Sequence, residues 1–270
     1  MAGKRVRLRN IESAGPRELT SARRHHEACA PARPRPSRNF NHQPYRDPGF
    51  VTSCLVAAND AEGSAPPDQT TTNRATYDRI ARRYAENQRI NVSRNESLFA
   101  ELEETFLTAL PERALVADVG CGPGFDAGRF ADRGFQAVGV DLSGGMLAVA
   151  SKELPGRLMQ ADMRALPITS GQLDGIWCIA SLLHVPDVDT LSVLREFKRV
   201  LRRAGTLALV TALGESEGFE SVPYVANEQR WFVYRNQENL KGQLLSAGFI
   251  VRLDGQVQGN RLWSTLLAEA

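Results

Sequence analysis

The chain is short of cysteine and histidine and has no long apolar run, and each shortage removes a class of protein. Its 270 residues include 4 Cys and 4 His. Cys29, Cys54, Cys121 and Cys178 form no CxxC pair and no ligand cluster. A structural zinc site needs such pairs, and a disulfide-stapled secreted domain needs more of them. No metal is therefore expected, and a reducing cytoplasm is the expected compartment. No stretch of ~18 apolar residues occurs, so no membrane partner is expected. The basic amino terminus has no apolar h-region, which argues against a secretory signal.

What is present suits one full α/β domain with an appendage, or two small domains. Hydrophobic residues make up 42% and charged residues 24%, enough apolar surface for a core. The charge is uneven. Residues 1–74 hold 12 Lys and Arg against 7 Asp and Glu, whereas the rest holds 21 against 24. The later part is mildly acidic, so the overall basic pI gives no support to a nucleic-acid partner. Residues 1–74 carry the Pro- and Arg-rich run 30–38 and few apolar residues in any period. Such a segment cannot offset its ordering entropy by burial. A disordered basic extension over 1–74 is expected. A transit peptide or interaction arm, and a translation start further in, remain open beside it.

Order is expected from Ala75. Tyr77, Ile80, Ala81 and Tyr84 recur at i, i+3, i+4 and i+7, one face of a helix. A second helix is predicted over 94–110, ending before Pro111. Strands are predicted over 114–119, 135–141, 158–160, 173–179 and 206–211, with helices after the first, second and fourth. The stretch 214–235 reads as irregular. A helix from Asn236 to Ser246 and two closing strands, joined across Gly259-Asn260, complete the chain.

The organising stretch is Val116-Ala117-Asp118-Val119-Gly120-Cys121-Gly122-Pro123-Gly124. A buried strand runs into a glycine turn and then a helix, the layout of a nucleotide site at the carboxyl edge of a parallel sheet. Asp141 ends the second strand and can accept hydrogen bonds from ribose hydroxyls; a helix cap is its plainer role. Asp162 ends the third strand and can meet an adenine amino group; an exposed loop acid is the alternative. A dinucleotide fingerprint needs G-x-G-x-x-G. Counted from Gly120, its third glycine falls at Phe125, so the spacing here is G-x-G-x-G.

That pattern, with Asp118, Asp141, Asp162 and two strands after the fifth, resembles the class I S-adenosylmethionine-dependent methyltransferases, small-molecule branch. The resemblance covers roughly residues 75–270. It implies an α/β fold: a Rossmann-like seven-stranded sheet, mostly parallel with the last strand antiparallel, and helices on both faces. It implies S-adenosylmethionine as cofactor, with Asp118, Gly120, Cys121, Gly122 and Gly124 at the methionine part and Asp141 at the ribose. Asp162 and Met163 would flank the adenine, with Leu142, Met146, Ala161 and Ile179 nearby. Tyr77 and Tyr84 either touch the methionine end or pack in the core.

Ala180-Ser181-Leu182-Leu183 stands where nucleic-acid amino methyltransferases carry an Asn/Asp-Pro-Pro-aromatic motif, and no Pro-Cys pair occurs. A small organic acceptor is therefore the expected partner, methylated at oxygen, nitrogen or carbon. His184 is the catalytic candidate if the acceptor must lose a proton; packing behind the fourth strand is its other reading. The aromatic stretch 219–234, with Trp231, Phe232 and Tyr234 as substrate contacts, is either an acceptor lid or a cover for the sheet. A binding protein without transfer activity and a nucleotide-dependent oxidoreductase remain the alternative functions.

Overall fold

The structure, a computed structural model, describes residues 9–10, 68–94 and 98–270. Helix α1 (Gln69–Arg94) starts where the Asp68 carboxylate accepts the Thr71 N–H at 2.8 Å. The helix thus begins ahead of the expected Ala75 boundary. Its first turns, Gln69-Thr70-Thr71-Thr72-Asn73, carry no apolar face, so a hydrophobic period does not reveal them. The rest of the expected disordered extension lies outside the described residues, apart from 9–10. Helix α2 (Ala100–Thr108) buries Leu102, Phe106 and Leu107. It is shorter than the 94–110 expected, because Arg94 belongs to α1.

The strands and helices then alternate: β2 (Leu115–Val119), α3 (Phe125–Asp132), β3 (Gln136–Asp141), α4 (Gly144–Ala150), β4 (Leu158–Gln160), β5 (Leu173–Ile179), α5 (Thr190–Val200) and β6 (Leu201–Ala212). A hairpin follows, β7 (Ser216–Ser221) with β8 (Gln229–Tyr234). Helix α6 (Gln237–Ser246) and strands β9 (Ile250–Gln258) and β10 (Leu262–Glu269) close the chain. Asn236 caps α6 by accepting the Glu238 and Asn239 N–H groups, as its position predicts.

The main sheet has the order β1-β9-β10-β6-β5-β2-β3-β4, where β1 (Arg9–Asn10) is a two-residue edge pair on β9 that the sequence does not announce. The other seven strands are those expected. β2 to β6 pair in parallel, and β10 runs antiparallel to both β6 and β9. The order places β2 between β3 and β5, so the chain reverses direction across the sheet at β2. A crevice therefore opens at the carboxyl ends of these strands.

Both faces of the sheet are covered, and the strand period decides which residue meets which layer. Ile176 and Cys178 of β5 join Phe197 of α5 and Leu244 of α6 on one face. Trp177 joins Phe106 of α2 and Phe130 of α3 on the other, with ring centroids at 5.2 and 5.5 Å. The Trp177 indole N–H donates to Asp126 at 2.8 Å, which satisfies its one polar atom in the core.

The expected irregular stretch 214–235 is instead the β7–β8 hairpin, in register from Ser216 opposite Tyr234 to Ser221 opposite Gln229. Its alternation is hidden because Trp231-Phe232-Val233-Tyr234 is apolar or aromatic on both faces of the strand. Among the described residues, no helix is long and apolar enough to cross a membrane.

Candidate functional site

The glycine turn sits at the carboxyl end of β2. Gly120 has φ of 77°, and a Cβ there would lie 1.7 Å from the Ser181 hydroxyl oxygen. No other residue type fits this position without moving the β5 loop. The Gly120 and Cys121 N–H groups donate to the Val140 carbonyl at 2.7 and 3.0 Å, tying the turn to β3. One step on, the Gly122 N–H donates to the Asp141 carboxylate at 2.9 Å. The other Asp141 oxygen accepts the Ser143 N–H at 2.8 Å. Burial raises the Asp141 carboxyl above its ordinary value, and these two N–H groups oppose the rise.

Helix α1 is clamped over this edge by Asp78. One Asp78 oxygen accepts the Ser143 hydroxyl at 2.7 Å and the Gly145 N–H at 2.9 Å. The approach is close: a Cβ at Gly145 would lie 2.6 Å from the Asp78 carbonyl oxygen. Ser143 in turn accepts the Met146 N–H at 3.0 Å, which caps α4.

Between α1 and the strand ends lies a cleft of about 840 Å³, its open mouth included. Of the expected cofactor residues, Gly120, Gly122, Asp141, Leu142, Met146, Ala161, Asp162, Met163, Ile179, Tyr77 and Tyr84 line it, and so does His184. Asp118, Cys121 and Gly124 do not. Asp118 and Val119 are successive strand residues with opposite faces, and it is Val119 that borders the cleft. Asp118 is buried, and burial followed by the nearby Asp126 charge pushes its carboxyl well up. Cys121 is buried, and burial pushes its thiol up. Gly124 caps α3 in a left-handed conformation against Ala150. These three shape the turn from behind.

Asp162 borders the cleft, but its carboxylate is already engaged. Arg164 reaches it with Nη2 at 2.6 Å and Nε at 3.1 Å, and also bonds Asp189 at 2.8 Å and Thr70 at 3.2 Å. Burial raises the Asp162 carboxyl, yet the Arg164 contacts together outweigh it and hold the group below its ordinary value.

His184 is held at both ring nitrogens. Nδ1 lies 2.8 Å from the Trp231 carbonyl, which can only accept, so Nδ1 carries the proton. Nε2 is then an acceptor and takes the Tyr77 O–H at 2.7 Å. The Tyr77 oxygen in turn accepts Arg230 Nη1 at 3.0 Å. Burial, followed by the Arg230 charge, lowers the His184 pKa to about 3. His184 is therefore neutral at pH 7, and neither nitrogen is free to take a proton from a guest.

Trp231, Phe232 and Tyr234 do not line the cleft. Trp231 meets α1 through its backbone: its N–H donates to Asn73 at 2.6 Å and its carbonyl accepts from the same side chain at 3.1 Å. Phe232 is buried under the Arg261 guanidinium, 4.2 Å from the ring centroid. Tyr234 donates to Glu220 at 2.6 Å. The hairpin meets α1 through the Trp231 backbone, while Phe232 and Tyr234 pack against the sheet. Sequence reasoning missed Thr70, Asn73, Arg74, Arg164 and Ser181, all of which line the cleft.

Residues 117–209, spanning β2 to β6, match the family model described as a methyltransferase domain. This match marks residues 117–209 as a methyltransferase domain. The relatives of this methyltransferase domain include malonyl-[acyl-carrier protein] O-methyltransferase of Enterobacter lignolyticus. The two are 33% identical over 155 residues, 56% of this chain and 57% of that protein. Trans-aconitate 2-methyltransferase of Azoarcus is 42% identical over 103 residues, 37% of this chain and 40% of that protein. The chain thus spans about half the length of the curated relatives it matches. Among solved structures, magnesium protoporphyrin IX methyltransferase of Synechocystis, with S-adenosylmethionine bound, superposes with a TM-score of 0.60 at 17% identity. The superposition covers 76% of this chain and 98% of that one, and it bears on the fold of the methyltransferase domain alone.

Proposed function

We propose that the protein transfers a methyl group from S-adenosylmethionine to a small organic acceptor, at oxygen, nitrogen or carbon, in the cytoplasm. The observation that carries this reading is the Asp141 carboxylate. It ends β3, borders the cleft and is fixed by the Gly122 and Ser143 N–H groups. A carboxylate so held is an acceptor for a pair of ribose hydroxyls. The residues around it fit the rest of the cofactor. Gly120 and Gly122 leave backbone where side chains would fill the cradle, and Met146, Ala161 and Ile179 provide apolar wall.

When bound, S-adenosylmethionine supplies a methyl group already activated on a cationic sulfur. The chain's part is then alignment and exclusion of water rather than strong acid–base chemistry. Asp141 orients the ribose. Tyr77 and Tyr84, 5.8 Å apart between ring centroids on α1, cover the methionine end. Neutral His184 holds the Tyr77 hydroxyl in place.

The two curated relatives are named for different acceptors, malonyl-acyl carrier protein and trans-aconitate, so neither is carried over. A small molecule is favoured over nucleic acid because residues 180–183 lack the amino-methyltransferase motif and residues 75–270 are mildly acidic. The test is a screen of small acceptors with S-adenosylhomocysteine formation as readout. Turnover that needs both protein and acceptor is the expected result. Cofactor binding with no turnover on any acceptor would instead mark a binding protein.

A further inference from the structure

Arg230 lies behind the cleft-lining Tyr77 and takes no part in the cofactor cradle. It sits on β8, partly buried, with its guanidinium at the tip of the cleft-lining Tyr77 ring. A guanidinium has five N–H donors. Arg230 gives one to Tyr77, and its buried Nε–H has no partner. Its neighbours are three phenols, Tyr77, Tyr84 and Tyr224, and the Phe232 ring, whose centroid lies 5.3 Å from the guanidinium; among the described residues no carboxylate pairs with it.

Two other arginines of this region differ. Arg261 meets Glu220 at 3.5 Å, and Arg235 meets Asp187 at 3.4 Å. The Tyr224 hydroxyl, whose ring lies 6.3 Å from that of Tyr84, is also buried without a partner. Two unsatisfied donors, one of them cationic, therefore lie together in an aromatic corner directly behind Tyr77 and Tyr84, the residues that line the cleft there. A buried cation without a counter-ion is costly, and so is a buried donor without an acceptor. A guest that carries negative charge and lone pairs removes both costs.

We infer that the methyl acceptor is an anion, a small molecule bearing a carboxylate, and that Arg230 and Tyr224 receive that group. This rests on the proposed methyl transfer and narrows its acceptor class. It also agrees with His184 being engaged at both nitrogens, because a carboxylate needs no base to remove a proton. A second source of carboxylate is the amino-acid end of the cofactor itself, and the experiment separates the two.

The test is calorimetric titration of the S-adenosylhomocysteine-loaded protein with malonate and benzoate, against their neutral amides malonamide and benzamide. At least one acid is expected to bind about tenfold more tightly than its amide, the scale of one charge-assisted contact. Arg230→Gln is expected to erase that preference while S-adenosylhomocysteine affinity stays within about twofold. Arg230→Lys, which keeps the charge but loses the fork, should reduce the preference without erasing it. Acids that bind no better than amides would overturn the inference, and so would a preference that survives Arg230→Gln. So would an Arg230→Gln protein that loses S-adenosylhomocysteine but still binds 5′-methylthioadenosine, which would assign the arginine to the cofactor. Should Arg230→Gln not fold by circular dichroism, Arg230→Lys decides: an unchanged preference overturns the inference. If the wild-type protein does not bind S-adenosylhomocysteine, the methyl-transfer reading fails instead. The comparison of acid with amide on the unloaded protein then still tests Arg230.

Discussion

The two walls of the cleft satisfy their polar groups differently. On the β2–β3 wall the contacts are backbone to backbone or backbone to carboxylate: Gly120 and Cys121 on the Val140 carbonyl, Gly122 and Ser143 on Asp141. On the α1–β8 wall, where β8 backs the cleft-lining α1, they are side chain to side chain or side chain to backbone, as in the run Arg230 to Tyr77 to His184 to Trp231. That wall also leaves the Arg230 Nε–H and the Tyr224 hydroxyl unpaired. A finished wall built from backbone suits a fixed ligand shared by many proteins. An unfinished wall built from side chains suits a ligand that differs from one protein to the next.

The largest expected effect breaks the finished wall. Gly120→Ala puts a Cβ into Ser181 and forces an unfavourable backbone conformation, so S-adenosylhomocysteine affinity should fall by about 3 kcal/mol in calorimetry. Asp141→Ala removes the ribose acceptor from the same wall and should cost about 1–3 kcal/mol of that affinity. Unchanged affinity would remove Asp141 from the site.

The α1–β8 wall should respond to pH. The His184 pKa is about 3 in the folded protein, against 6.5 ordinarily. Between those values the unfolded chain binds a proton that the folded chain does not. This contribution to stability is full above pH 6.5 and is lost as pH falls toward 3. The loss approaches about 1.4 kcal/mol per pH unit at its steepest. Urea denaturation from pH 7 to 4 should show this slope, and His184→Gln should flatten it. The smallest effect concerns the seam between the walls. Asp78→Ala frees the Ser143 hydroxyl and the Gly145 N–H, and should lower stability by about 1 kcal/mol.

The same contrast explains what the sequence revealed. The strand, glycine turn and helix of 114–132 are local in the chain, and so is the Asp141 that follows at the next strand end. Their order and spacing were enough to define one side of the site. The missing third glycine at Phe125 was enough to exclude a dinucleotide fingerprint. Arg230 and Tyr77 are 153 residues apart, and no local period predicts that they meet. Asn73 lies in a polar first turn of α1 that hydrophobic spacing does not register. The β7–β8 hairpin was hidden because its second strand is apolar on both faces. Asp118 was misplaced for a simpler reason: spacing along the chain does not say which side of β2 a residue faces.

One measurement bears most directly on the central claim. Calorimetric titration of the wild-type protein with S-adenosylhomocysteine and, separately, with NAD asks which nucleotide the cleft accepts. The account predicts saturable binding of S-adenosylhomocysteine and none of NAD. Binding of NAD but not of S-adenosylhomocysteine would contradict it.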